Sequence, residues 1–105
     1  MNDLSVEQLK AWRDEGRDFV LLDVRDEDEV RTVNLPGATY IRAADIPQRA
    51  AELDKTAAIA VMCHGGGRSS RVAKYLSDAG FETVYNVDGG IDAYAERIDP
   101  ALARY

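Results

Sequence analysis

The segment from Cys63 to Ser69 contains the residue types with the most chemistry in this chain. Cys63 is the only cysteine and His64 the only histidine, and the glycines 65–67 separate them from Arg68 and Ser69. Glycines let successive backbone N–H groups point toward one place, and Arg68 adds a positive charge and a forked donor. Such surroundings stabilise a thiolate. The pattern therefore predicts that Cys63 is a nucleophile and that the loop receives an anionic group.

A structural role for Cys63 is the alternative, because free cysteines are often small core residues that precede ordinary turns. Arg68, Ser69 and the helix that follows favour a functional loop instead. A single cysteine excludes an internal disulfide framework and a zinc site built from cysteines. With one histidine, the chain offers few soft metal ligands. We therefore expect no metal and no cofactor.

Buried strands that alternate with helices must position this loop. Apolar runs predict strands over 19–24, 57–62 and 81–87, with a short strand over 39–41. Helices are expected after a capping box at Ser5, over 43–53, and after Gly89-Gly90, with a short acidic helix or turn at 26–30. Ser69 or Ser70 is expected to cap the helix that follows Cys63. This alternation predicts an α/β fold with a parallel sheet, whose ligand site lies beyond the carboxyl ends of the strands.

Length and composition limit the classes of function. With 105 residues, 46% of them hydrophobic, residues 1–105 are expected to form one domain. The net charge of −6 argues against nucleic-acid or anionic-membrane binding, which needs a basic face. No apolar run approaches the ~20 residues of a membrane span, and the first residues do not resemble a signal peptide. A free, reactive cysteine then suggests the cytoplasm.

Four motifs in this order resemble the rhodanese-like domains, a family of single-domain sulfurtransferases. Cys63 to Ser69 is similar to their active-site pattern Cys-x-x-Gly-x-Arg-Ser. Asp23-Val24-Arg25, followed by an acidic stretch with Glu29, resembles their Asp-Val-Arg strand end. Leu35-Pro36-Gly37-Ala38 resembles half of their Pro-Gly turn, and 84–90 resembles their last strand with its Gly-Gly turn.

The resemblance implies a central, mostly parallel sheet of four to five strands with helices on both faces. It also implies a two-step sulfur transfer without a cofactor. Cys63 would take a sulfane sulfur from thiosulfate or a persulfide and pass it to cyanide or a thiol. The persulfide-binding loop would be His64, Gly65, Gly66, Gly67, Arg68 and Ser69. A sulfur-accepting protein is a possible partner; nucleic acid and membrane are not expected.

Two other functions remain open. The first is a rhodanese-like module that carries sulfur to one partner or only docks to it. The second is a phosphatase, which the loop length disfavours. Cys63 to Arg68 spans six residues, and cysteine phosphatases use a loop one residue longer to hold a tetrahedral phosphoryl group.

Several residues have two interpretations at this stage. Asp23 and Arg25 either support the loop and donor binding or form an ion pair that serves only the fold. His64 either contacts substrate or points to solvent at the rim of the loop. The acidic run 26–29 is expected to be a solvated surface. Val33-Asn34 and Tyr94 depart from the family pattern, in the first turn and at the rim of the expected pocket.

Overall fold

The sheet in a computed structural model of the protein, which describes residues 1–105, has five parallel strands. They lie in the order β1-β5-β4-β2-β3. The strands are β1 Asn2–Leu4, β2 Val20–Asp23, β3 Thr39–Tyr40, β4 Ala58–Met62 and β5 Thr83–Val87. The helices are α1 Val6–Asp14, α2 Glu27–Thr32, α3 Ile46–Arg49, α4 Gly67–Asp78 and α5 Gly90–Arg97. The predicted α/β fold with a parallel sheet is confirmed.

Alternating side chains of the central strands build two cores, one on each face of the sheet. Ile59 and Val61 pack on one face, with residues of α3 and α4. Ala60 and Met62 pack on the other, with residues of α1 and α5. Successive side chains of a strand point to opposite faces, so a continuous apolar run such as β4 requires helices on both.

The strand order places a crevice at the carboxyl ends of β2 and β4. These two strands are neighbours, with Asp23 opposite Met62. From β2 the chain moves outward to β3, whereas from β4 it moves to β5 on the opposite side. Ligand sites of open α/β sheets form at such a reversal. Cys63 follows β4 directly at this position.

Three elements differ from the sequence prediction. The edge strand β1 was not predicted, because only Leu4 of its three residues is buried and so short a segment has no periodic pattern. The helix predicted over 43–53 is one turn of α-helix, α3, between two 3₁₀ turns. Pro47 lies in the first turn of α3, where its missing N–H costs no hydrogen bond.

The start of α4 is the third difference. Neither Ser69 nor Ser70 caps this helix. The N-cap is Gly66, whose φ of 109° lies in the left-handed region that favours glycine. The helix therefore begins at Gly67, and Ser69 lies inside its first turn with its side chain buried. No helix of the structure is both long and apolar enough to cross a membrane.

Candidate active site

Cys63 lies at the bottom of a tight turn between β4 and α4. Its side chain is buried, and the backbone N–H of Gly66 donates to its Sγ at 3.1 Å. Sγ also lies 3.3 Å from Oγ of Ser69, in the first turn of α4. The short glycine-rich loop thus folds back so that the sulfur faces the N-terminal end of a twelve-residue helix.

These contacts outweigh the burial of the sulfur. Burial raises the pKa of the Cys63 thiol. The hydroxyl and backbone N–H of Ser69, the backbone N–H of Gly66 and the charge of Arg68 lower it, and the net pKa is below its ordinary value. Hydrogen bonds and positive charge favour the thiolate, whereas burial favours the neutral thiol. The loop therefore favours the nucleophilic form of the cysteine.

The loop is held against α5 by backbone contacts. The carbonyls of Cys63 and His64 accept from the N–H groups of Ile91 and Asp92, at 2.9 and 3.0 Å. Gly90, at φ 60°, comes so close that an added Cβ would lie 2.3 Å from the His64 carbonyl oxygen. The Gly-Gly turn at 89–90 is thus the point where α5 contacts the backbone of the loop.

Arg68 is placed differently from expectation. Its fork does not point at the sulfur: Nη1 and Nη2 donate to the two carboxylate oxygens of Glu29 at 2.5 and 2.9 Å. The Glu29 hydrogen bond raises the pKa of Arg68, so the guanidinium stays charged. The positive charge of Arg68 acts on Cys63 through space, whereas its N–H donors connect α4 to α2.

Glu29 is accordingly not part of a solvated acidic surface. Its side chain is 17% exposed. It also accepts from the N–H of Asp26 at 3.0 Å and from the hydroxyl of Tyr105 at 2.8 Å. The hydrogen bonds from Arg68, opposed by burial and assisted by these two donors, lower the pKa of Glu29 to about 2. The exposed part of the run is limited to Asp26, Glu27 and Asp28.

Asp23 and Arg25 form a buried ion pair at the end of β2. The Arg25 side chain is 0% exposed, and its Nη2 donates to Asp23 at 2.7 Å and to the Val33 carbonyl at 2.7 Å. Nη1 donates to the hydroxyl of Tyr105 at 3.1 Å. Because these partners occupy the guanidinium, it is not available to bind an anionic sulfur donor. The geometry supports the interpretation that the pair fixes the chain between β2 and α2.

His64 lies at the rim of the loop, with one third of its side chain exposed. Its ring stacks on Tyr105, with centroids 4.2 Å apart. Nε2 has no hydrogen-bond partner and lies 3.9 Å from Oδ1 of Asp92. The structure thus places His64 next to the cysteine in the chain, with no hydrogen bond from its Nε2 to Sγ.

The departures from the family pattern lie away from the sulfur. Tyr94 is buried against α1, where its hydroxyl accepts from Arg13 at 3.3 Å. The Val33 carbonyl accepts from Arg25, and the side chain of Asn34 donates to the Val30 carbonyl. None of these hydrogen bonds involves the cysteine loop.

Sequence reasoning assigned no role to two residues that the structure brings to the site. Asn86 of β5 is buried, and its Oδ1 lies 2.5 Å from Oγ of Ser69. An asparagine between Tyr85 and Val87, in a segment predicted as a buried strand, was the available signal. Tyr105 reaches His64, Glu29 and Arg25, and nothing in its local sequence predicted this long-range contact.

No group of three or more His, Cys, Asp or Glu side chains is placed to hold a metal ion. A cavity of about 340 Å³ lies beside Arg68, between α4 and the segment around α3. Its wall is mostly apolar and includes Arg71, and Cys63 does not line it.

The chain is similar in sequence and in structure to known proteins. A family model described as Rhodanese-like domain matches residues 5–97. The chain belongs to the rhodanese-like domain family. It is 37% identical over 100 residues to the Bacillus subtilis protein named "Putative sulfurtransferase YtwF", a match that covers 95% of this chain and 96% of that protein.

Two further relatives extend the comparison. The B. subtilis "Putative sulfur carrier protein YrkF" is 33% identical over 89 residues, which cover 85% of this rhodanese-like chain and 48% of that protein. A crystal structure of a rhodanese-like domain protein from Staphylococcus aureus superposes with a TM-score of 0.86 at 28% identity, over 100% of this chain and 99% of that one. The relatives support sulfur transfer at the level of the family.

Proposed function

We propose that this rhodanese-like protein is a sulfurtransferase that carries a sulfane sulfur on Cys63. The observation that supports this most is the hydrogen bond from the Gly66 N–H to Sγ, at the N-terminal end of α4. Backbone N–H groups directed at a sulfur stabilise negative charge on it without reorganisation during the reaction. Both the thiolate and the persulfide carry that charge.

In the first step, the Cys63 thiolate attacks the sulfane sulfur of thiosulfate. A sulfur–sulfur bond to Sγ forms while the bond to the sulfite group breaks, and sulfite leaves with the electron pair. Cys63 then holds a persulfide whose terminal sulfur is negative. A persulfide donor would react in the same way, with a thiolate as the leaving group.

In the second step, cyanide or a thiolate attacks the terminal sulfur. The bond between that sulfur and Sγ breaks, and its electron pair returns to Cys63 as the thiolate. The product is thiocyanate or a new persulfide. The groups that lower the pKa of Cys63 make it a better leaving group here. Because the cycle needs a reduced cysteine, we propose the cytoplasm as its compartment.

The length of the loop favours sulfur over phosphate. Six residues from Cys63 to Arg68 close onto one sulfur atom, and the Arg68 fork is occupied by Glu29. A phosphoryl group needs a wider opening and free donors for its oxygens.

The test is intact mass spectrometry after incubation with thiosulfate. We expect wild-type protein to gain the mass of one sulfur atom and Cys63→Ser to gain none. A second incubation with cyanide should remove the sulfur as one thiocyanate per loaded Cys63, and thiosulfate and cyanide together should produce thiocyanate over many turnovers. Loading followed by release only to a protein would indicate a dedicated sulfur carrier. No loading from thiosulfate or a low-molecular-weight persulfide would contradict the proposal.

A further inference from the structure

The hydroxyl of Ser69 lies between the candidate nucleophile and a second polar side chain. Its Oγ is 3.3 Å from Sγ of Cys63 and 2.5 Å from Oδ1 of Asn86. Cys63, Ser69 and Asn86 are all buried, with exposures of 1%, 0% and 6%. The three side chains form a continuous chain of hydrogen bonds from the sulfur to β5.

The single proton of the Ser69 hydroxyl limits what this chain can do. An amide oxygen only accepts, so the short contact to Oδ1 uses the Ser69 proton. The Ser69 oxygen can then only accept from the Cys63 thiol, which donates its S–H. When the thiol loses its proton to solvent, the hydroxyl must turn toward the sulfur and leave Asn86 to act as donor. The amide oxygen and the thiolate therefore compete for one proton.

We propose that Asn86 is a positioning residue: its side-chain oxygen holds the Ser69 hydroxyl in the orientation that accepts from the Cys63 thiol, so that the hydroxyl stabilises negative charge on the sulfur less than it would without Asn86. This inference rests on the proposed sulfur transfer for its purpose. In the first step Cys63 is the nucleophile and in the second the leaving group. A more basic thiolate attacks better and leaves worse. By this competition, Asn86 sets the balance between the two steps.

Charged and titratable groups also lie on the elements around the site, and the proposed variants change none of them. These groups are Arg68 of α4, Glu29 of α2, Asp92 of α5, the Asp23–Arg25 pair after β2, His64 and Tyr105. A change at Asn86 that acts only through Ser69 can therefore be separated from a change in the electrostatic surroundings.

The test is the pH dependence of Cys63 alkylation by iodoacetamide, a reaction that needs no sulfur donor. Asn86→Leu removes the acceptor with little change in volume. We expect the midpoint to fall by roughly half a pH unit to one pH unit, the worth of one hydrogen bond transferred to the thiolate. In a Ser69→Ala background the same substitution should produce no shift, because the connecting hydroxyl is gone.

Asn34→Leu is the matched control, since Asn34 is exposed and bonds only the Val30 carbonyl. If thermal melting shows that Asn86→Leu is not folded, Asn86→Ala replaces it. A second measurement, infrared spectroscopy, reports on the Cys63 thiol directly. With one cysteine, the protein has one infrared S–H band, and donation to Ser69 should place it at lower frequency than in Ser69→Ala.

An unchanged or higher midpoint in the Asn86 variants would overturn the inference. So would a shift that persists without Ser69, or an S–H band that Ser69→Ala leaves in place. Failure of the proposed function has a different signature: Asn86→Leu shifts the alkylation midpoint, yet thiosulfate loads no sulfur on the wild type.

Discussion

Cys63 is a buried cysteine whose surroundings oppose each other. Burial favours the thiol, whereas the Ser69 hydroxyl, two backbone N–H groups and the charge of Arg68 favour the thiolate. The donors prevail, which favours the proposed nucleophilic role over a structural one. A reactive cysteine needs this combination of partial enclosure and positive surroundings.

We expect the alkylation rate of Cys63 to have its midpoint below the ~8.5 of a free thiol. Ser69→Ala should raise the midpoint, because the thiolate loses a donor, and Ser70→Ala, at the next position of α4, should leave it unchanged. Cys63→Ser gives the blank, since the chain has no other cysteine. A wild-type midpoint at or above the free-thiol value would show that burial dominates.

Arg68 separates the effects of charge and of the guanidinium fork. Arg68→Lys keeps the charge near the sulfur but cannot make both bonds to Glu29. We expect its alkylation midpoint to stay close to that of the wild type and the midpoint of Arg68→Ala to rise. Both variants should lose stability, on the order of 1–2 kcal/mol in urea unfolding. Arg71→Ala, which removes an exposed arginine of the same helix, is the control for loss of charge. Equal midpoints in all variants would remove Arg68 from the electrostatics of the site.

At the scale of elements, the loop is held between two helices. α4 directs its N-terminal end at Sγ, and α5 contacts the backbone carbonyls of Cys63 and His64. The second contact depends on Gly90, because a side chain at this position would occupy the space of those carbonyls. The geometry of the site is therefore set by a residue that does not contact the sulfur.

Gly90→Ala should displace the loop. An added Cβ would lie 2.3 Å from the His64 carbonyl oxygen and 2.5 Å from that of Cys63. Gly37→Ala is a matched control, since Gly37 also has positive φ but open space around its Cα. Both lose roughly 1–2 kcal/mol from backbone strain, and Gly90→Ala should lose a further ~1–3 kcal/mol from the close contact. Urea unfolding measures both, and sulfur loading should fall only in Gly90→Ala. Equal losses would mean that the loop moves aside without cost.

At the scale of the whole molecule, Glu29 connects parts of the chain that are distant in sequence. Its carboxylate binds Arg68 of α4 and the hydroxyl of Tyr105, which also stacks on His64. Burial raises the pKa of Tyr105 to about 12, so its hydroxyl stays protonated and continues to donate near neutral pH. One ionised carboxylate thus joins α2, α4 and Tyr105.

This connection predicts how stability depends on acid. The pKa of Glu29 is about 2 in the folded protein and near 4.5 when unfolded. Because the folded pKa is the lower one, the stabilisation is fully present above pH 4.5 and is lost as pH falls toward 2. We expect the free energy of unfolding in urea to fall by on the order of 2 kcal/mol over this range from Glu29 alone.

Glu29→Gln should remove that part of the pH dependence, because an amide does not titrate. Glu27→Gln, which changes an exposed carboxylate of the same helix, should retain it. If wild type and Glu29→Gln lost stability in parallel between pH 5 and 2, the ion pair would contribute nothing to folding.

The sequence by itself determined the fold class and the position of the candidate nucleophile. Continuous apolar runs alternating with helical patterns specify a parallel sheet, because only buried strands need apolar side chains on both faces. The segment from Cys63 to Ser69 carries its own chemistry, since glycine, arginine and a following helix act locally. These features depend on neighbours in the chain, which the sequence displays directly.

Only the tertiary structure decided which partner each polar group takes. Arg68 is bound by Glu29, 39 positions away, and Ser69 by Asn86, 17 positions away. Local pattern has no information on such pairs. The start of α4 at Gly67 was also missed, because a glycine with positive φ can replace a serine cap only once α5 and β5 hold the loop in place. Hydrogen bonds require specific distances and directions, and folding brings distant residues into that geometry.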